Sequence, residues 1–219
     1  DKPQSKNASF FEKNPIIPSI DIITILKLLS RKHRNLPAID CNDLHATYQE
    51  LLDDSHIVYR AFKKLGVKKG DIVTISLPSN YQAIVSFLAL NELGAVTTYI
   101  DTYSGSDEVT NYIKMYQSPL LINCDRSQEE NQEIKEKSGV KCIVTLKSSA
   151  ADSREFNLDY HANKSDVFID FHTLGSIAAT QKDGFHLPNK GNDNAMILYT
   201  SGSTGQPKAV VLTNKNILS

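Results

Sequence analysis

Apolar positions along the chain fall into two kinds of run that alternate. Tyr48, Leu51, Leu52, Ser55, Val58, Tyr59, Phe62 and Leu65 recur every three or four residues, the spacing of one helix face. Thr47 and Glu50 have the Thr-x-x-Glu spacing of a capping box ahead of that helix, and Gly66 marks its stop. Beyond it, the short apolar runs "DIVTISLP", "AVTTYID", "PLLINC" and "KCIVTL" predict buried strands. Between them "NYQAIVSFLALNELG", "SDEVTNYIKMYQS" and "SQEENQEIKEKSG" predict helices, the first ending at Gly94 and the last a polar surface helix. Strand, helix, strand at short intervals implies right-handed crossovers and an α/β fold, a mainly parallel sheet flanked by helices.

The flanks are less regular. Residues 1–19 read as a flexible lead-in, and "IDIITILKLLSRKH" predicts a helix whose Arg31, Lys32, His33 and Arg34 suit the negative end of its dipole. "PAIDC" and "LHATY" around Asn42-Asp43 predict a hairpin. Residues 147–166 are polar and read as an exposed loop, "VFIDFHTLGSIAA" as a strand and short helix, and "TQKDGFHLPNKGNDN" as a second loop before the strand "AMILYTS". The expected organisation is a lead-in over 1–19 and an α/β subdomain over 20–146. Variable loops and short elements follow over 147–192, then a strand, loop, strand and helix start over 193–219.

Composition narrows the function classes. With 219 residues, 40% apolar and 22% charged, the chain can bury a sizeable core. A formal net charge of −1 argues against a nucleic-acid or anionic-membrane surface over the whole molecule. Cys41, Cys124 and Cys142 show no CxxC spacing, which fits a reducing, cytoplasmic setting. The most apolar stretch, "AIVSFLALNELGAVTTYI", is broken by Asn91, Glu92 and Gly94, so no membrane span is predicted. Six histidines, at 33, 45, 56, 161, 172 and 186, have no ligand spacing, and no metal site is predicted. Lys63, Lys64, Lys68 and Lys69 read as solvated, Tyr81 and Phe87 as packing residues, and Asp101 and Asp107 as carboxylates without an acid/base pairing.

Candidate chemistry is concentrated in "ILYTSGSTGQPKAVVLTN". A Ser/Gly/Thr cluster between apolar runs is often only a turn. The alternative is a phosphate clamp. Gly202 and Gly205 remove Cβ atoms, so backbone N–H groups can converge on an anion. Hydroxyls of Thr200, Ser201, Ser203 and Thr204 add donors, Lys208 adds a compact charge, and Pro207 stiffens the approach to it. The spacing is not that of a Walker A loop, which requires Gly-Lys-Ser/Thr and opens a helix at once; here "AVVLT" predicts a strand.

"YTSGSTGQPKAVVLTNKNI" resembles the phosphate-loop signature of the adenylate-forming superfamily: acyl-CoA synthetases, peptide-synthetase adenylation domains and luciferases. That signature runs Tyr/Phe-Thr-Ser-Gly-Ser/Thr-Thr-Gly-x-Pro-Lys-Gly-Val, then Leu-Thr/Ser-His-x-Asn. The early run "HATYQELLDDSHIVYRAFKKLGVKKGDIVTISLPSNYQAIVSFLALNELGAV" is similar to the family's as well, so 20–122 and 193–219 can be laid on the pattern and 123–192 only in outline. Ala209 stands where the family has Gly, and Asn214 where it has His, in a region the resemblance puts near the acyl pocket.

The resemblance implies the N-terminal part of the large domain of an enzyme that joins a carboxylic acid to ATP and passes the acyl group to a thiol, coenzyme A or carrier-protein phosphopantetheine. Thr200, Ser201, Gly202, Ser203, Thr204, Gly205 and Lys208 would hold the β,γ-phosphates, with Mg²⁺ bridging phosphate oxygens. The adenine, ribose and lid elements of such enzymes come later in their chains. A missing C-terminal part is therefore an expected partner, no catalytic residue is assigned here, and the 219 residues alone are expected to be inactive. Within the family, peptide-synthetase domains usually carry Pro-Leu-Asp-Pro where this chain has "TYIDTYS", which favours the acyl-CoA synthetase type. Two other classes compete. A pseudoenzyme scaffold draws on Ala209 and Asn214, and a P-loop NTPase would need a helix beginning at Ala209.

Overall fold

A computed structural model describes residues 19–41, 44–150, 153–158, 167–181, 188–200 and 208–219. The expected lead-in, up to residue 18, lies outside them. Helix α1 (Ile22–His33) begins where the Asp21 carboxylate accepts the Thr24 N–H at 2.9 Å. Strands β1 (Pro37–Cys41) and β2 (Leu44–Thr47) pair antiparallel, as the apolar runs predict. The capping box forms at the start of α2 (Tyr48–Lys64): the Glu50 carboxylate accepts the Thr47 N–H at 2.8 Å, and the Thr47 hydroxyl accepts the Glu50 N–H.

The alternating region folds as β3 (Ile72–Ser76), α3 (Tyr81–Leu93), β4 (Val96–Tyr99), α4 (Ser106–Tyr116), β5 (Leu120–Cys124), α5 (Gln128–Ser138) and β6 (Cys142–Leu146). β7 (Phe168–Asp170), α6 (Leu174–Ala179), β8 (Asn194–Thr200), β9 (Lys208–Thr213) and the short α7 (Asn214–Ile217) complete the order. Seven strands form one sheet, β7-β6-β5-β3-β4-β8-β9, parallel except for β9, which runs antiparallel to β8 at the edge.

Side-chain alternation along the strands explains the two covered faces. Leu120 and Ile122 of β5 point into a core shared with α1, α2, α3 and α6, whereas Leu121 between them joins Val109, Ile113 and Ile134 of α4 and α5. Helix α3 is buried on nearly every side, which is why its sequence is apolar all round rather than amphipathic. It stops at Gly94, whose φ of +72° is left-handed; a Cβ there would also meet the Asn189 side chain at 2.6 Å. Among the described residues, no helix is long and apolar enough to cross a membrane.

Residues 147–166 are not simply an exposed loop. Within the described part, Arg154 crosses onto α2, its Nε donating to Asp54 at 2.9 Å and its Nη1 lying 2.8 Å from the Glu50 carboxylate. The Tyr81 hydroxyl donates to the same Asp54 oxygen at 2.7 Å, and the Ser153 carbonyl accepts from Gln82 Nε2. Phe156 packs towards Phe171. Polar side chains on α2 and α3 thus strap 153–158 across the helical layer. A polar sequence was compatible with exposure, and only the partners on other elements show otherwise.

Candidate functional site

The strand direction puts every loop after a parallel strand on one edge of the sheet. β3 ends at Ser76, β4 at Tyr99, β5 at Cys124 and β8 at Thr200, all on that edge. The chain order reverses between β3 and β5: β4 lies on one side of β3, and β5, β6 and β7 follow on the other. Open α/β sheets gather ligands outside the carboxyl ends of their strands, next to such a reversal.

Thr200 and Lys208 close a hairpin on this edge. They are the last and first residues of β8 and β9 and oppose each other in the antiparallel ladder, with the Thr200 hydroxyl donating to the Lys208 carbonyl at 3.4 Å. Both are exposed. Ser201, Gly202, Ser203, Thr204 and Gly205 lie outside the described residues, between these two fixed ends. Ala209 follows in a strand, so the helix that a Walker A loop would open is not there. An ammonium beside a strand end, with hydroxyls and glycines in the connection, can grip an anionic chain.

A cleft of about 580 Å³ opens on the same edge beside the reversal, walled by the segment after β4 and the segment after β5. Tyr103 stands 96% exposed at its rim. At its side the Arg126 side chain is only 6% exposed; Nη2 donates to the Ser104 carbonyl at 2.5 Å and Nη1 lies 3.8 Å from Glu130. Arg126 Nε is buried without a partner among the described residues. Asp125 sits in the left-handed region at φ +56°, its carboxylate accepting the Ser148 N–H, and hydrogen bonds from Ser148 hold that carboxyl below its usual range. Burial, then the neighbouring Asp125 charge, pushes the Cys124 thiol up to about 11, so it is no thiolate nucleophile at neutral pH. Sequence reasoning did not single out Arg126, because only the strand order brings "CDRS" to the cleft beside the reversal.

Asn214 stands away from the Thr200–Lys208 hairpin end. It lies at the opposite end of β9 from Lys208, about 20 Å away for six extended residues. Its side chain is 1% exposed: Oδ1 accepts from Asn91 Nδ2 at 2.7 Å, and Nδ2 donates to the Lys190 and Asp193 carbonyls at 3.2 and 3.3 Å. Asn91 Oδ1 in turn accepts the Ile23 N–H, and Asn189 joins Asp21 to the end of α3. Asn214 is a knot residue of the fold rather than part of the candidate site.

Among the described residues, no three His, Cys, Asp or Glu side chains gather as a metal cage.

A family model described as "AMP-binding enzyme" matches residues 28–219. The acetyl-coenzyme A synthetase of Yersinia pestis (strain Pestoides F) is 34% identical over 178 residues, 78% of this chain and 27% of that protein. Acetyl-coenzyme A synthetase 2 of Debaryomyces hansenii is 31% identical over 168 residues, 75% of this chain and 24% of that one. The chain therefore spans about a quarter of the length of these curated relatives. In fold it is similar to apo MbtA of Mycobacterium smegmatis (TM-score 0.72, 18% identity, 99% of this chain and 38% of that one). It is likewise similar to the anthranilate CoA ligase AuaEII in complex with anthranoyl-AMP (TM-score 0.71, 18% identity, 90% and 35%).

Proposed function

This chain belongs to the AMP-binding enzyme family, and we propose that the protein it comes from is an ATP-dependent, AMP-forming acid–thiol ligase of the acyl-CoA synthetase type. A carboxylate oxygen of the acid substrate attacks the α-phosphorus of ATP, the bond to the bridging oxygen breaks, and pyrophosphate leaves. A thiol then attacks the acyl carbon and AMP departs. The first step needs the β,γ-phosphates held still while their charge grows. Thr200 to Gly205 wrap those phosphates in this reading, and Lys208 opposes their charge from the start of β9. Mg²⁺ supplies further neutralisation of the leaving group when bound. The carrying observation is the Thr200–Lys208 hairpin closure on the carboxyl edge of the parallel sheet.

Coenzyme A is the favoured acceptor, supported by the names of the 34% and 31% identical relatives and by the missing Pro-Leu-Asp-Pro run. The cytosol, where ATP and coenzyme A are both at hand, is the working compartment of this reading. The scaffold alternative loses Asn214 as support, since that side chain is committed to the fold.

ATP–pyrophosphate exchange by the full-length protein, run over a panel of carboxylic acids, tests this. Exchange should appear with at least one acid and fall about 10²- to 10³-fold in Lys208→Met, the scale for losing one preorganised charge-stabilising donor. No exchange with any acid, or an undiminished Lys208→Met enzyme, overturns it.

A further inference from the structure

We infer that Tyr116 and Tyr199 form a clamp by which α4 fixes the strand end that carries the phosphate loop, making Tyr116 a positioning residue for the phosphates of ATP. The inference rests on the ligase reading for its ligand, and on geometry for the clamp.

The end of β8 is poorly held by the sheet. β4 pairs with β8 only at Thr97↔Met196 and Thr98↔Ile197. Leu198, Tyr199 and Thr200 run past that ladder, with β9 as their strand partner, and β9 is itself an exposed edge over Lys208–Val211. A two-stranded arm of this kind is marginal by itself and needs packing against another element.

Tyr199 supplies that packing. Its hydroxyl hydrogen-bonds the Tyr116 hydroxyl, its ring meets Tyr112 edge-on with centroids 4.8 Å apart, and its hydroxyl lies 3.6 Å from Met115 Sδ. Tyr112, Met115 and Tyr116 stand at i, i+3 and i+4, one face of α4. Three contacts thus converge on the side chain immediately before Thr200. Burial, and then the bond to Tyr116, hold the Tyr199 phenol above its usual range, so it stays a neutral hydrogen-bonding group throughout the working pH.

Ala209 belongs to the same device. It is the cross-strand partner of Tyr199, so its methyl stands on the same face as the Tyr199 ring. Where the family signature has Gly, this chain adds a Cβ and restricts the backbone next to Lys208. Tyr116 and Tyr199 thus hold the β8 end of the loop against α4, and Ala209 faces Tyr199 across the ladder at the β9 end.

The test uses the full-length protein with Tyr116→Phe, Tyr199→Phe and the double variant, each keeping its ring. The KM for ATP in pyrophosphate exchange should rise about threefold to tenfold in either single variant, the reach of one net neutral hydrogen bond. The KM for the acid should stay within about twofold, and the double variant should match the singles because one bond is being removed. Amide hydrogen exchange gives a readout independent of activity: residues 198–200 and 208–210 should exchange faster in Tyr116→Phe while β3 and β5 do not change. An unchanged ATP KM, equal changes in both KM values, or unaltered exchange at 198–200 overturns the clamp. Wild-type protein without ATP-dependent exchange sinks the ligase reading instead, and the hydrogen-exchange arm still decides the clamp.

Discussion

Replacing Asn214 by Ala separates a fold role from a substrate role. The truncation removes the acceptor of the Asn91 Nδ2 hydrogen bond at 2.7 Å, inside a site where both side chains are almost fully buried. It also removes the donors to the Lys190 and Asp193 carbonyls, which keep other partners in the Asp193 and Asn214 N–H groups. The main loss is therefore one orphaned buried donor, costing about 1–3 kcal/mol, with a smaller contribution from the two carbonyl bonds. A total of about 2–3 kcal/mol corresponds to a Tm drop of roughly 4–12 °C for a chain of this size. Thermal and urea unfolding followed by circular dichroism measure it. Asn214→His, the residue of the family signature, should lose under about 1 kcal/mol, because one ring nitrogen can accept from Asn91 and the other can donate. The KM for ATP should not move in either variant, since Lys208 is about 20 Å away. An Ala variant within about 0.5 kcal/mol of wild type, or a changed ATP KM at unchanged stability, would refute the assignment.

The remaining predictions concern the strap over α2 and α3. Arg154→Ala leaves the Asp54 carboxylate, which also accepts from Tyr81, without its cation, and should cost about 2–3 kcal/mol and open 153–158 to limited proteolysis; an intact digestion pattern counts against the strap. Glu50 is held down at about 2, first by the Thr47 backbone N–H and then by Arg154. Its folded pKa lies below the ordinary 4.5, so its stabilising contribution is present above about 4.5 and is lost as pH falls towards about 2. Urea midpoints for wild type and Glu50→Gln should converge across that window; parallel curves would remove Glu50 from the acid response.

Sequence alone determined most of the framework, because the signals involved are local. Thr47 and Glu50 are three residues apart, so a capping box needs nothing beyond the chain that carries it, and it forms as spaced. Gly94 ends α3 because a left-handed residue closes a helix wherever one runs out. The strand reading of "AVVLT" is local in the same way, and it excludes a Walker A loop without reference to any other element. Thr200 and Lys208 were legible as a pair of loop ends for the same reason.

Tertiary structure decided what depends on partners distant in the chain. That Asn214 faces Asn91, 123 residues away, turns a departure from a family pattern into a structural knot. Glu92 looked like an interruption of an apolar run, and it is a buried carboxylate paired with Lys27 of α1 at 2.6 Å, 65 residues away. The polar stretch around Arg154 carried no sign of the carboxylates that hold it, because burial of a charge is set by which elements pack over it. The strand order, with its reversal between β3 and β5, brought Arg126 to the edge where β8 ends at Thr200 and β9 begins at Lys208. Periodicity reports which way a side chain faces its own element, and only the packed sheet says what stands opposite.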